Sequence, residues 1–394
     1  MPPGPRRSRS EATTTTGRNS AEASSASESR AAAESRPSLG RAPGGGSTRA
    51  SSGPAKPTIH AVAERANVAI STVSRVVNGG KVSLGVKRRV QRVIDELGYT
   101  PSIAAQSLVR RRTGCIGLAV NSSQSPWFQQ ILAGIEEALA PSKKSVLLAS
   151  MMLKGDYDPG AVLAWIAENR VDGLVLVRYS RRDRPLLDAA TKASIPVVLI
   201  APDLSAPSDF TVRCNNVHAG VLVGQHLGAL GHRHVAFAGG PRESLDSRQR
   251  LEGLQDSLAA QGVTLAPDQI WFGASYSRSA ATTFAEDFLA MAPENRATAV
   301  VLGNDPMALA FMRTVLKGGV RVPEDVSIVG FDGTPDGEQC WPGLTTVVQP
   351  TRLMAKTACE ALLDRVEKRQ MDRTTASEFD VMLLARESTA APRR

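Results

Sequence analysis

Residues 67–80 read NVAISTVSRVVNGG. Val73, Val76 and Val77 fall on one side of a helix, and Ser71 and Arg75, four apart, share another. Asn78-Gly79-Gly80 ends the pattern with residues that tolerate left-handed backbone. The stretch is short, amphipathic and bounded on both sides. Its neighbours decide what such a helix is for.

Upstream, Ile59, Val62, Ala63 and Ala66 follow helical spacing, with Thr58 placed as N-cap. Asn67-Val68-Ala69 is a tight break between the two helices. Downstream, Ser83 opens a third helix carrying Val86, Val90, Val93, Ile94 and Leu97, and Gly98 closes it. Three short helices in about 40 residues, the first two joined by a tight turn, make a helix-turn-helix bundle. Pro101 cannot continue the third helix but suits a new first turn, so SIAAQSLVRRRTG reads as a hinge ordered by its surroundings.

Charge is concentrated in the same region. The 394-residue chain carries +9 overall: +4 over residues 1–55, +8 over 56–113 and −3 over 114–394. A strongly basic 58-residue block ahead of a mildly acidic body is the footprint of a polyanion-binding module. Residues 1–55 are rich in Ser, Ala, Thr, Gly, Pro and Arg, with Leu39 the lone large apolar residue after Met1, and read as a disordered tail.

From Gly114 onward, apolar runs at 115–120, 145–150, 172–177, 195–200, 234–239, 298–303 and 326–331 alternate with helical patterns such as 128–139 and 221–230. Continuous apolar strands between helices imply parallel sheets covered on both faces. Seven such strands over about 280 residues fit two βαβ subdomains with a cleft at the carboxyl ends of their strands. The expected fold is thus α/β with an N-terminal helix-turn-helix domain.

Other classes find little support. No run of roughly 18 apolar residues is present, and Arg6-Arg7 is followed by no apolar segment, so a cytoplasmic protein with no membrane contact is expected. Cys115, Cys214, Cys340 and Cys359 are far apart and the five histidines form no ligand pair, so no metal or cofactor is expected. No GxGxxG, GxxxxGK[ST], GxSxG or HExxH occurs, and no catalytic constellation is nominated. An enzyme and a sugar receptor of the periplasmic type remain as alternatives; the missing constellation argues against the first, and the basic module against the second.

The stretch from Thr58 to Leu108, TIHAVAERANVAISTVSRVVNGGKVSLGVKRRVQRVIDELGYTPSIAAQSL, resembles the headpiece and hinge of the lactose-repressor (LacI/GalR) family of bacterial transcription regulators. The similarity continues in order through SPWFQQILAGIEEAL, RVDGLVLV, GALGHRHVAFAGGP, RQRLEGL, GNDPMALAFMR, VPEDVSIVGFDGTP, GLTTVVQP and ARESTAAP, over about residues 57–392.

That resemblance implies a periplasmic-binding-protein-like body and assigns roles by position. Ile70, Ser71 and Arg75 match base-reading positions in the major groove, where an arginine can donate two bonds to guanine. An apolar Ile70 implies contact with a thymine methyl. Thr58, Thr72, Ser74, Asn78, Ser83 and Tyr99 match positions that hold the DNA backbone. Leu108, with Ala105, matches the hinge element that wedges into the minor groove. Asn67 and Ala69 stand where the family usually has Gly and Ser, and Ser102 replaces a usual Asn.

In the body, Trp127 and Phe128 after Pro126 resemble the family's effector-stacking aromatics, and Arg250 its effector-binding arginine, with Asp246 one turn before. Asn304 and Asp332 end two strands, where cleft ligands are expected. Carboxylates and a bidentate donor beside an aromatic wall suit a small sugar-like effector. Ala201 and Ser275 replace an acidic or polar residue and an aromatic found in many relatives.

The implied partners are near-palindromic double-stranded DNA, the effector and a second copy in a homodimer, the protein acting more often as a repressor. The expected division is 1–55 tail, 56–100 headpiece, 101–113 hinge and 114–394 effector and dimerisation body. Within the body, an N-subdomain spans 114–214 plus 344–376, and a C-subdomain 215–343 plus 377–394.

Overall fold

The computed structural model describes residues 57–100, 112–121, 123, 125–142, 144–153, 156–203, 208, 210–367 and 376–393. The expected tail, and the hinge residues Ala105 and Leu108, lie outside the described residues.

The headpiece contains α1 (Ile59–Arg65), α2 (Ile70–Val77) and α3 (Leu84–Leu97). Thr58 caps α1 through its hydroxyl oxygen, which accepts from the Ala61 N–H at 3.4 Å. The turn is made by Asn67 at φ 47°, a left-handed conformation that asparagine reaches more readily than most residues. This explains why the turn survives without the family's glycine. Ser83 holds the N-cap position of α3 in extended backbone but makes no side-chain cap bond. Gly98, at φ 60°, terminates α3 as its spacing predicts. Val62, Ala63, Ala66, Val73, Val76, Val90 and Val93 form the buried core, with Tyr99 packed against it.

Among the described residues the body holds two six-stranded sheets and a short two-stranded one. The first lobe begins with β1 (Cys115–Val120), α4 (Pro126–Leu139), β2 (Ser145–Ser150) and the short hairpin β3 (Met152–Leu153) and β4 (Asp156–Tyr157). It continues with α5 (Gly160–Ala167), β5 (Gly173–Val177), α6 (Arg184–Lys192), β6 (Val197–Ile200) and β7 (Phe210–Cys214). The second lobe runs through α7 (Asn216–Ala229), β8 (Val235–Gly239), α8 (Leu245–Ala259), β9 (Ile270–Phe272), α9 (Arg278–Ala290), β10 (Ala299–Leu302), α10 (Asp305–Lys317), β11 (Ser327–Asp332), α11 (Pro335–Gln339) and β12 (Thr345–Val348). The chain then returns to the first lobe as α12 (Thr351–Glu367) and β13 (Ala376–Phe379), and finishes in the second as β14 (Met382–Leu384).

Strand order is β13-β7-β6-β5-β1-β2 in one sheet and β14-β12-β11-β10-β8-β9 in the other. Within these two sheets all pairs are parallel except β12 with β14. The seven apolar runs all become strands; six of them are buried on both faces, while β2 (Ser145–Ser150) lies at a sheet edge and is partly exposed.

The expected subdomain boundaries need correction. Residues 345–348 pair with β11 and belong to the second sheet, while Ala376–Phe379 pairs with β7 in the first. The chain crosses after Val348, and α12 buries Met354, Ala355, Ala358 and Leu362 in the first lobe's core. Among the described residues, three crossovers join the lobes, at 214–216, 348–351 and 379–382. Among the described residues, no helix is long and apolar enough to cross a membrane.

Candidate nucleic-acid interface and ligand cleft

On α2, the residues that pack and the residues that face out separate cleanly. Val73 and Val76 are buried, whereas Ser71 and Arg75 are exposed and Ile70 is 41% exposed. Burying a valine is worth roughly 1.5–3 kcal/mol, so packing of the valines fixes which face turns outward. Thr72 and Ser74 are half-buried beside that face. Asn78 donates from Nδ2 to the Ser74 carbonyl oxygen at 2.8 Å and to Ser74 Oγ at 3.3 Å. Its Oδ1 is buried with no hydrogen-bond partner among the described residues. The structure therefore brings Ser74 and Asn78 together at the end of α2. Thr58 and Ser83 are exposed at the starts of α1 and α3, and Lys87, Arg88, Arg89 and Arg92 line α3's solvent side.

The body's polar residues converge where strands of both sheets end. Arg250, on α8, is buried; its Nε donates to Asn216 Oδ1 at 2.8 Å and its Nη1 to the Gly303 carbonyl at 2.6 Å. The guanidinium lies over the Phe331 ring at 4.6 Å. Asp246, one turn earlier, accepts from Asn216 Nδ2 at 3.0 Å and from Arg178 Nη1 at 2.9 Å. Asp332 ends β11 with φ 119° and accepts from Gln349 Nε2 at 2.8 Å. Burial, reinforced by the nearby Asp305 charge, pushes the Asp332 carboxyl well above the usual range.

Asn304 stands at the expected strand end, but its Oδ1 caps α10 by accepting from the Met307 N–H at 3.0 Å. Trp127 is half-buried, and its indole N–H is buried with no hydrogen-bond partner among the described residues. Phe128 is placed differently from expectation. It is 5% exposed and belongs to the first lobe's apolar core with Ile131 and Ile135, because its position on α4 faces the sheet.

Sequence reasoning missed Arg178, Asp203, Asn216, Ser244, Tyr276 and Gln349. Arg178 directly follows β5, at φ 58°, and Nη2 donates to Asp203 Oδ1 at 3.0 Å. Tyr276 Oη lies 3.0 Å from Ser244 Oγ and 2.7 Å from Ser247 Oγ. It supplies the aromatic absent at Ser275, one residue along. An arginine or asparagine at the carboxyl end of a buried strand was the available signal for Arg178 and Asn216. Gln349 lies in the string GLTTVVQP, which carries the resemblance but assigns it no role.

A helix-turn-helix headpiece ahead of a periplasmic-binding-protein-like body defines the class of DNA-binding bacterial regulators. Residues 58–102 match the model for bacterial regulatory proteins of the lacI family, and residues 225–389 that for a periplasmic binding protein-like domain. The chain is 33% identical over 322 residues to the HTH-type transcriptional repressor PurR of Photobacterium profundum, covering 80% of this chain and 94% of that protein. It is 32% identical over 319 residues to the HTH-type transcriptional regulator CelR of Thermobifida fusca, covering 79% and 92%. A Lac repressor dimer bound to operator and the anti-inducer ONPF superposes with TM-score 0.72 at 28% identity, covering 85% of this chain and 99% of that one. A CelR–cellobiose complex gives 0.64 at 30% identity, covering 84% and 99%. The chain belongs to the LacI family of bacterial DNA-binding transcription regulators.

Proposed function

We propose that the protein is a cytoplasmic homodimeric repressor that reads a near-palindromic operator and answers to a small sugar-like effector in the cleft. The observation that carries the DNA half is α2's outward face of Ile70, Ser71 and Arg75, held by Val73 and Val76 behind it. In this reading, those three residues read bases. Thr58, Thr72, Ser74, Asn78, Ser83 and Tyr99 hold phosphates, and Leu108 with Ala105 enters the minor groove. Relatives bound to operator and to cellobiose support both halves.

For the effector, Trp127 provides an aromatic wall with a buried N–H to satisfy, and Arg250, Asn304 and Asp332 supply the polar groups. Phe128 supports the wall from the core. Asp246 acts through Arg178 and Asn216, which occupy its carboxylate. The effector switches DNA binding only through a difference in its affinity for two lobe arrangements. Those arrangements reposition the paired hinges.

The test is fluorescence anisotropy on an inverted repeat upstream of the gene. Arg75→Ala weakens that site by roughly 1–3 kcal/mol and leaves salt-dependent binding to random DNA intact. Equal loss on both DNAs would overturn the base-reading role.

A further inference from the structure

We propose that Arg178 is a latch that ties the two lobes together across the cleft without a ligand. This deepens the reading of the cleft as an effector site, and it rests on that reading only for its consequence on DNA binding.

The geometry is an inter-lobe ion pair with several supports. Arg178 and Asp203 belong to the first lobe, after β5 and β6. Asp246, Ser244 and Tyr276 belong to the second. The guanidinium donates from Nη1 to Asp246 at 2.9 Å, and from Nη2 to Asp203 at 3.0 Å and Ser244 Oγ at 3.3 Å. It lies 4.8 Å from the centroid of the Tyr276 ring. Ser244 Oγ adds a second link by donating to Asp203 at 3.0 Å. One cation thus joins carboxylates from both lobes.

Three features separate this from a surface salt bridge. The Arg178 side chain is 22% exposed and that of Asp246 8%, so water competes poorly for either. Burial works against the Arg178 charge, yet Asp246 and Asp203 outweigh it and raise its pKa above the ordinary arginine value. Arg178 also holds a left-handed backbone at φ 58°, a strained conformation for a non-glycine residue that persists only where surrounding contacts fix it.

The latch is wired to the crossovers. Asp246 shares Asn216 with Arg250, and Asn216 opens α7 at the first crossover. Cys214, the last residue of β7, donates from Sγ to Gln349 Oε1 at 3.3 Å in the second crossover, and Gln349 donates to Asp332. A ligand that changes the hydrogen bonding of Asp246 or Asp332 therefore acts on hinge residues through one or two contacts. Breaking the Arg178–Asp246 pair frees the lobes to separate about the same hinges.

The experiment is small-angle X-ray scattering of the full chain with no ligand and no DNA, with folding checked by circular dichroism. Wild type, Arg178→Gln, Asp246→Asn, the double variant and Arg178→Lys are compared. The latch predicts a larger radius of gyration in both single variants, by similar amounts. The double variant moves no further than either single one, and Arg178→Lys falls nearer wild type. Unchanged scattering in Arg178→Gln, or a double-variant shift equal to the sum of the two, overturns it. If Arg178→Gln does not fold, Asp246→Asn against Arg178→Lys carries the comparison: an unmoved Asp246→Asn overturns the latch. Because no DNA or ligand is added, loss of the latch and loss of the DNA-binding role are told apart.

Discussion

Gly220 on α7 lies so close to Arg250 on α8 that a Cβ on Gly220 would stand 2.2 Å from the Arg250 carbonyl oxygen. Gly253 makes the reciprocal approach: its Cβ would stand 1.9 Å from the Val217 carbonyl oxygen. No real Cβ reaches such distances, so backbone must move to admit one. The helix pair therefore sets the height of the Arg250 guanidinium beside Asn216 and Gly303. Gly220→Ala is expected to destabilise the body by about 1–3 kcal/mol through overpacking. It also displaces Arg250 without touching the cleft. Thermal unfolding measures the first effect, and the crystallographic position of Arg250 the second. An unshifted Arg250 with unchanged melting would show that the helices separate freely.

The headpiece should fail by a different route from the base-reading face. Val73 is completely buried in a core of seven small apolar residues. Small domains bury a smaller fraction of their surface and are correspondingly marginal. Val73→Ala deletes two buried carbons, about 0.8 kcal/mol each and roughly 1.6 kcal/mol together, so the headpiece melts at a lower temperature while the body's transition stays in place. Operator binding is lost on warming and recovered on cooling. Arg75→Ala, by contrast, weakens operator binding at every temperature. Calorimetry of both variants distinguishes them; a Val73→Ala headpiece melting like wild type would contradict the assigned core.

Legibility followed continuous apolar composition. β1, β5, β6, β8, β10 and β11 are continuous apolar runs because neighbours cover both faces, and β2, at the sheet edge, carries the same apolar signature. β13 (ASEF) lies at a sheet edge with partly exposed residues, and β7 alternates buried and half-buried positions. β13 produces no apolar block, and β12 (TTVV) is buried but opens with two threonines, so the expected subdomain boundaries miss 345–348 and 376–379. The cleft was half legible for a related reason. Arg250 and Asp332 stand in recognisable strings, with Asp246 one helical turn before Arg250. Arg178, Asn216 and Gln349 act through partners 68, 30 and 17 residues away. Only the fold makes those distances short.

Asp305 gives a pH dependence with a definite sign. Its carboxylate is buried and accepts from the Thr334 N–H at 2.7 Å and the Thr334 hydroxyl at 3.0 Å. Burial outweighs these bonds and raises its pKa from 3.8 to about 6. The folded state thus keeps this proton to higher pH than the unfolded chain. Its contribution to stability is present below about 3.8 and is lost as pH rises through about 6. Melting temperatures of wild type and Asp305→Asn, followed from about pH 4 to 7, isolate the effect. The wild-type advantage should shrink across that window. A constant or growing advantage would mean that Asp305 is ionised throughout.

Ile70 tests the apolar part of the reading surface. It opens α2 with 41% of its surface exposed, although Val73 and Val76 on the same helix are buried. An isoleucine has no donor or acceptor for a base edge, so its contribution to recognition must come from apolar contact. In the major groove, the one apolar group a base pair presents is the thymine methyl. Replacing the facing thymine by uracil removes that methyl and leaves every hydrogen-bonding group in place. Scanning thymine-to-uracil substitutions through each half-site should reveal one position where affinity falls by about 1 kcal/mol, near the transfer value of a single buried carbon. In an Ile70→Ala variant, the same substitution should cost little, because the partner is gone. An operator tolerating uracil at every thymine would refute the contact and leave recognition to Ser71 and Arg75.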